Sequence, residues 1–356
     1  MVLRTAVIGA GVVATNGHLP NLNRNPRVDL VAVCDMNQSR ADSAAREHEI
    51  RAYYDVEELL ENEHLDWVHI CTPVQTHVEI ATTVINAGIP VLIQKPITLT
   101  VDELDQLAAL SEENDVLLTP VHNQVFNPTV REVSERISDG EIGEIRGIDT
   151  IYTAEGVPDE TPRGDWVFDL PGGELEEGLP HPLYLTLLFG GFPRDEKSIG
   201  VVKRAVREYP AGIEYDGAQV QYITEGNSLC SIKVLAETPE NQRVFVHGTK
   251  KSLLIDILSM TVIERSTNSA GRDPKNLAFN AVNDSTRIIG SLAKNAMNFG
   301  KEIYDNKFDS HREDAMGAHY YLFNETAKAI EEGKGSPVSI EQARWTIRLM
   351  EQIRDA

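Results

Sequence analysis

The chain has 356 residues, enough at roughly 100 to 200 residues per domain for two domains that each bury a core. Hydrophobic residues make up 41% and charged residues 25%, and no apolar run approaches the ~20 residues of a membrane span, so no membrane association is expected. Lys plus Arg total 33 against 55 for Asp plus Glu, and the resulting formal charge of −22 repels phosphate backbones, which argues against nucleic acid as a partner.

Met1 leads straight into an apolar strand pattern with a single Arg4, without the charged and long apolar segments of a signal peptide, so a cytoplasmic protein is expected. Strand-like runs at Leu3 to Ile8, Val28 to Cys34, Trp67 to Cys71, Pro90 to Ile93 and Val116 to Pro120 alternate with helical patterns at Gln38 to His48, Thr76 to Ala87 and Val101 to Asn114. That rhythm predicts a parallel sheet wrapped by crossover helices. A further helix over Pro128 to Ser138 ends at Asp139-Gly140. The pattern then changes to successive strands: Ile145 to Tyr152, Ile199 to Arg207, Ala218 to Thr224, Ser228 to Leu235, Arg243 to Val246, Ser252 to Ile257 and Thr261 to Glu264. Turns such as Glu225-Gly226-Asn227 and Gly248-Thr249 make hairpins of a mostly antiparallel sheet the natural reading. Helical patterns return near Asp284 to Tyr304, His311 to Glu332 and Ile340 to Arg354. The three cysteines Cys34, Cys71 and Cys230 are far apart and show no zinc spacing, so no metal is expected.

Gly9-Ala10-Gly11-Val12-Val13-Ala14 follows the first strand and opens a helix, the fingerprint of dinucleotide binding with alanine in the third small position. The first glycine permits a tight turn, the second lets backbone approach a pyrophosphate, and the small third residue lets helix meet strand. Asp35 stands at the end of the second strand, where a carboxylate accepts hydrogen bonds from ribose hydroxyls and repels a 2′-phosphate. NAD is therefore expected over NADP, with Arg40 the nearest cation that could serve a phosphate. The fold class is α/β: a Rossmann doubly wound parallel sheet over residues 1–122, then an α+β domain with a large, mostly antiparallel sheet over 123–356.

Cys71-Thr72-Pro73 ends one strand, Thr76-His77 begins a helix, and Gln94-Lys95-Pro96 ends the next strand. Together with Gly9 to Ala14 and His18-Leu19-Pro20, these resemble the family of glucose-fructose oxidoreductase, inositol dehydrogenase and rhizopine catabolism proteins. Gly140-Glu141-Ile142-Gly143, Gly172-Gly173 with His181, and Phe323 to Ile330 extend the resemblance over nearly the whole chain. It implies cofactor contacts from Gly9, Gly11, Val12, Val13, Asp35, Thr72, Pro73, His77, Gln94 and Lys95. It also implies a homodimer or homotetramer formed through the second domain's sheet.

Lys95 sits at the carboxyl end of a parallel strand, where open α/β sheets place ligands, and could donate to a substrate hydroxyl or stand solvated at the surface. The resemblance makes it a catalytic residue, although the family's usual Glu before it is Gln94 here. His181 follows Gly178 and Pro180, so a helix starting near Leu179 would put its imidazole in a first turn, where the neutral form of a general base is favoured. Glu177, four residues earlier, replaces the family's Asp and is a candidate for orienting the imidazole or holding substrate. Asn123 matches a position that faces substrate in the family; His122 is a second candidate base. Tyr184, Arg163 and Trp166 could line a sugar pocket, and His18 reads as helix packing. The expected activity is NAD-dependent oxidation of a hydroxyl on a sugar, nucleotide sugar or cyclic polyol. An NADP-dependent diol or dicarbonyl reductase is the rival enzyme. The altered residues Gln94, Val125 and Leu179 would also suit a regulator that binds NAD and a sugar without turnover, against which the retained Lys95 and His181 speak.

Overall fold

A computed structural model describes residues 2–266 and 317–356, with scattered positions between 275 and 293. The expected helix from Asp284 to Tyr304 and the first residues of the one expected from His311 lie largely outside the described residues.

By contact the chain divides into two units. The first comprises residues 1–123, 161–169 and 317–351. Its six-stranded sheet has the order β3-β2-β1-β4-β5-β6, with every pairing parallel. The strands are β1 (Leu3–Ile8), β2 (Val28–Cys34), β3 (Arg51–Tyr53), β4 (Trp67–Ile70), β5 (Val91–Ile93) and β6 (Leu118–Pro120). Helices covering both faces of a parallel sheet bury its strands on each side, which is why β4 and β5 are buried at every position. The crossover helices form where the sequence supplies caps. α1 (Leu19–Asn23) follows the glycine turn and a wide helical turn over Ala14–His18. α2 (Gln38–His48) is capped by the Asn37 side chain on Arg40 N, and α3 (Val56–Asn62) by Asp55 on Glu58 N. α4 (His77–Asn86) precedes β5, and α5 (Val101–Glu113) opens on a reciprocal capping box between Thr100 and Glu103.

Strand β3 is an addition to the expected set. The order reverses between β1 and β4, so the chain leaves the carboxyl ends of these neighbours in opposite directions and opens a crevice there.

The C-terminal helices depart from the expected division of the chain, which assigned everything after residue 122 to the second domain. Three helices of the second unit, given below as α6 to α8, come before this pair: α9 (Ala318–Glu332) and α10 (Ile340–Asp355) belong to the first unit up to residue 351. The reason is apolar burial: Ala343 and Ile347 complete the core that Ala6, Val68, Ile93 and Leu104 build around the parallel sheet. Residues 161–169, with Arg163 and Trp166, also belong to this unit, where the Gln75 side chain donates to Trp166 O at 3.1 Å.

The second unit comprises residues 124–160, 170–316 and 352–356. After α6 (Pro128–Ser138), its seven strands are β7 (Ile145–Thr153), β8 (Gly200–Arg204), β9 (Gly217–Ile223), β10 (Leu229–Leu235), β11 (Asn241–Gly248), β12 (Lys251–Asp256) and β13 (Thr261–Ser266). The order is β13-β12-β11-β7-β10-β9-β8, antiparallel throughout except for the central β7–β10 pair. Alternation decides the buried face: Val220, Ile232, Val244 and Val246 point inward, whereas Gln219, Gln221 and Lys233 are exposed. α7 (Gly173–Gly178) and α8 (Pro180–Gly190) lie in this unit, and α8 packs on the inner face. There Thr186 and Thr150 share a hydrogen bond of 2.6 Å, and a Cβ on Gly190 would fall 2.5 Å from Cys230 Sγ.

Candidate active site

In the first unit the predicted cofactor residues gather at the carboxyl edge of the parallel sheet. Gly9 donates to Cys34 O at 2.7 Å and has φ +95, and a Cβ there would lie 2.8 Å from the carbonyl carbon and oxygen of Cys71. Only glycine lets β1 turn this close to the end of β4. Around Gly11 the opposite holds, for a Cβ would meet nothing within 4 Å. The small third residue, Ala14, is fully buried. Asp35 closes the turn: Oδ2 accepts from Ala10 N at 2.7 Å and Oδ1 from Asn37 N at 2.8 Å. Each carboxylate oxygen can accept more than one bond, so the group has capacity for ribose hydroxyls as well. Beside the turn, the apolar side chains of Val12 and Met36 are exposed, Met36 at 91%, while Val13 is half-buried. An open backbone face at Gly11, a carboxylate at the strand end and uncovered apolar surface next to both are what a dinucleotide needs, so the residues present fit NAD.

Thr72 and Pro73 follow β4 and are held by the short turn that leads into α4. Thr76 Oγ1 bonds Thr72 Oγ1 and Pro73 O, each at 2.8 Å. His77, expected among the cofactor contacts, is buried, with its ring nitrogens 2.9 Å from Thr72 O and 3.1 Å from Ile97 O. It braces the loops after β4 and β5 against each other. Burial lowers its pKa, and the bonds to these carbonyls oppose that shift.

Gln94 is buried at the end of β5. Its Oε1 accepts from Lys95 N at 3.0 Å, and its Nε2 lies 2.6 Å from His18 Nε2. Lys95 is half-buried and joined to Pro96 by a cis peptide bond. His319 of α9 is held down to about 4, first by burial and then by the charge of Lys95, which places the two within electrostatic reach. Asn123 opens the short helical turn after β6, at the same edge. Its neighbour His122 is buried, and burial holds it down to about 4, with Gln342 Oε1 3.4 Å from Nδ1.

In the second unit the segment before His181 differs from expectation. α7 runs to Gly178, Leu179 itself has helical angles, and α8 follows at once. The glycine pair explains how this is possible. A Cβ on Gly172 would fall 2.5 Å from the Tyr215 ring, and Gly173, at φ +55, would place one 2.2 Å from Pro158 O. Glu176 anchors α7 from its inner side: its buried carboxylate accepts from Gly172 N and Tyr215 OH, both at 2.8 Å, and from Arg354 Nε at 2.7 Å. Glu177 is also buried.

His181 Nδ1 lies 2.6 Å from Tyr184 OH, one turn along α8. That phenol also accepts from Gln124 N at 3.1 Å. The Tyr152 ring lies nearly parallel to the imidazole, with centroids 6.3 Å apart, and its hydroxyl bonds the side chains of Gln242 and Gln124 at 2.7 Å. Burial pushes both phenols up, well above neutrality, so Tyr152 and Tyr184 act as neutral donors and acceptors. Tyr184 is thus a support for His181, a role the sequence reading passed over. The signal available was the three-residue spacing that makes neighbours on a helix. Tyr152, Gln124 and Glu176 carried no such local signal.

Comparison with known proteins adds the following. Residues 3–122 match a model described as the oxidoreductase family, NAD-binding Rossmann fold, and residues 130–254 match one described as the GFO/IDH/MocA C-terminal domain. A dTDP-3,4-didehydro-2,6-dideoxy-alpha-D-glucose 3-reductase of Actinomadura kijaniata is 28% identical over 208 residues, 58% of this chain and 61% of that protein. A UDP-N-acetylglucosamine 3-dehydrogenase of Acidithiobacillus ferrooxidans is 31% identical over 206 residues, 56% of this chain and 58% of that protein. These matches span about three fifths of the curated relatives' length. Among solved structures, the WlbA dehydrogenase of Bordetella pertussis, in complex with NADH and UDP-GlcNAcA, superposes with a TM-score of 0.76 at 16% identity, covering 99% of this chain and 95% of that one. The fold is therefore shared along essentially the whole chain.

Proposed function

Because the chain belongs to the Gfo/Idh/MocA oxidoreductase family, we propose that it is an NAD-dependent dehydrogenase acting on a hydroxyl-bearing carbon of a sugar, and among sugars on a nucleotide sugar. The observation that carries the cofactor choice is the Asp35 carboxylate, tied to Ala10 N of the glycine turn at 2.7 Å. A fixed anion at that strand end accepts from a ribose diol and repels a 2′-phosphate. The nucleotide-sugar preference rests on the activities named for the relatives in Actinomadura kijaniata and Acidithiobacillus ferrooxidans.

NAD, when bound, takes up the hydrogen and electron pair leaving the oxidised carbon. In this reading Lys95 donates to the substrate oxygen and stabilises the charge that develops there, and His181 receives the hydroxyl proton at Nε2. Nε2 can accept a proton only if the single proton of the neutral ring sits on Nδ1, and that proton is then donated to the Tyr184 oxygen. Asn123 and Glu177 hold the substrate's remaining hydroxyls. The test is NADH formation across a panel of nucleotide sugars, free sugars and cyclic polyols, with Lys95→Met and His181→Asn as controls. Turnover confined to NAD and lost in both variants is expected. NAD binding without oxidation of any member would instead favour a sensor.

We place the protein in the cytoplasm as a homodimer or homotetramer. The outer face of the seven-stranded sheet exposes Leu229 at 61% and Ile223 at 40%, apolar surface suited to a second copy. Sedimentation of the intact chain checks the state.

A further inference from the structure

Behind the loop that carries Lys95 lies a layer of buried imidazoles with no role in the chemistry above. His18, from the wide turn over Ala14–His18, and His69, from β4, are both fully buried, with their Nδ1 atoms 2.9 Å apart. His18 Nε2 lies 2.6 Å from Gln94 Nε2, and Gln94 Oε1 accepts from Lys95 N at 3.0 Å. The other groups facing His18 are His319 and the ring of Phe323, both from α9, at centroid distances of 5.6 and 4.8 Å.

The protons in this chain follow from one group that has no choice. A backbone N–H can only donate, so Lys95 N–H requires the Gln94 oxygen and turns the amide nitrogen toward His18. That nitrogen is a donor, so His18 Nε2 must be bare. The single proton of neutral His18 then sits on Nδ1 and points at His69 Nδ1, which must be bare in turn. His69 therefore carries its proton on Nε2, a buried atom with no hydrogen-bond partner among the described residues, next to the rings of Trp67 and Phe323. A second proton on His18 would oppose two N–H groups at 2.6 Å. Burial lowers the pKa of both rings, and His69 and His319 add to that effect on His18.

We propose that Gln94 is a positioning residue for Lys95: its amide locks His18 and His69 into one neutral tautomer pair, so that the lysine's loop rests on a layer without charge. The function of this lock rests on the reading of Lys95 as the group that meets the substrate oxygen. The chain of protons itself does not. Replacing the amide by a carboxylate of the same shape would leave the bond to Lys95 N in place and turn a donor toward His18 into an acceptor. His18 would then carry a proton on Nε2, with the pattern in His69 reversed or His18 doubly protonated.

Histidine-selective 15N labelling of the full chain, with long-range proton–nitrogen correlation spectra across pH, reads these states directly. In the unaltered protein His18 is expected to be protonated at Nδ1 alone and His69 at Nε2 alone, unchanged down to about pH 5. In Gln94→Glu the His18 proton moves to Nε2. Its titration rises by two or more pH units, and turnover on an accepted sugar gains an inflection at that same pH. A His18 that carries Nε2–H or two protons in the unaltered protein at neutral pH overturns the proposal without recourse to any variant. So does a Gln94→Glu spectrum in which both rings keep the original pattern. Failure of the unaltered protein to oxidise any sugar would defeat the proposed function while leaving the tautomer assignment to be decided by the spectra.

Discussion

Asp35 has one task in the fold and a second in the proposed function, and substitution can separate the two. In the folded chain its carboxylate accepts from Ala10 N at 2.7 Å and Asn37 N at 2.8 Å, holding the glycine turn, and in the proposed function it also reads the ribose. Asp35→Asn keeps one acceptor oxygen. That oxygen serves the partly buried Ala10 N–H, and the exposed Asn37 N–H turns to water, so the turn should survive with a stability change of about 1 kcal/mol or less. What disappears is the anion. A hydrogen bond to a charged group contributes about 1.5–3 kcal/mol, so losing it from the ribose diol should weaken NAD roughly 10- to 150-fold. For NADP the sign reverses. Two unit charges about 4 Å apart repel by about 4 kcal/mol at a near-surface dielectric of ~20, and neutralising Asp35 relieves much of that. NADP affinity should rise, or fall far less than that of NAD. Asp35→Ala removes both acceptors and should lower stability further, by about 1–2 kcal/mol, with a similar loss of NAD. Titration calorimetry with each cofactor, beside urea unfolding of each variant, measures these quantities. Equal weakening of both cofactors by Asp35→Asn, in a protein of unchanged stability, would refute the assignment of Asp35 to the ribose.

The two glycines of the turn should fail differently. Gly9→Ala forces a side chain against Cys71 backbone at φ +95 and should cost about 2–4 kcal/mol of stability in urea unfolding. Gly11→Ala, whose Cβ meets open space, should unfold normally yet bind NAD at least ~10-fold more weakly by calorimetry. Tyr184→Phe removes the hydroxyl shared by Gln124 N and His181 Nδ1, so two part-buried groups lose that partner at about 1–3 kcal/mol. Its turnover should fall roughly 10-fold or more with NAD affinity intact, and an unchanged pH–rate profile would count against the support role. Acid should destabilise the fold from near neutrality downward. Burial holds His69 down to about 3 and His122 to about 4 and lowers His18, whereas the unfolded chain takes up these protons near pH 6.5. The unfolded state therefore binds more protons below about 6.5, and each such histidine removes about 1.4 kcal/mol per pH unit until its folded pKa is reached. A urea midpoint at pH 5 equal to that at pH 7 would contradict this burial.

The parallel half of the fold was legible because its evidence is local. Strands buried on both faces read as continuous apolar runs, and helix starts carry their own caps, so α2 was read over the residues it occupies, Gln38–His48. Strand Arg51–Tyr53 escaped because three residues at a sheet edge, beginning with an exposed arginine, show no period at all. The helix patterns near the C-terminus revealed a buried stripe but not its partner. Any apolar groove satisfies Ala343 and Ile347 as far as periodicity is concerned, and only the assembled sheet shows that it is the first unit's.

The candidate site divides along the same line. The placement of Gly9, Asp35 and Lys95 at strand ends was legible because each position is fixed relative to its own strand, which the sequence displays. The surroundings of His181 depend on partners far along the chain: Gln124 lies 60 residues from Tyr184, and Arg354 lies 178 from Glu176. Chemistry alone did not choose between Glu176 and Glu177, two identical carboxylates. Adjacent helical positions differ by about 100° around the axis, so one turns to Arg354 and Tyr215 while its neighbour faces elsewhere. A one-residue difference in where the helix begins would therefore exchange the surroundings of the two acids. The helix began at Gly173 because Gly172 and Gly173 admit the Tyr215 ring and the Pro158 carbonyl, contacts that no spacing rule in the sequence announces.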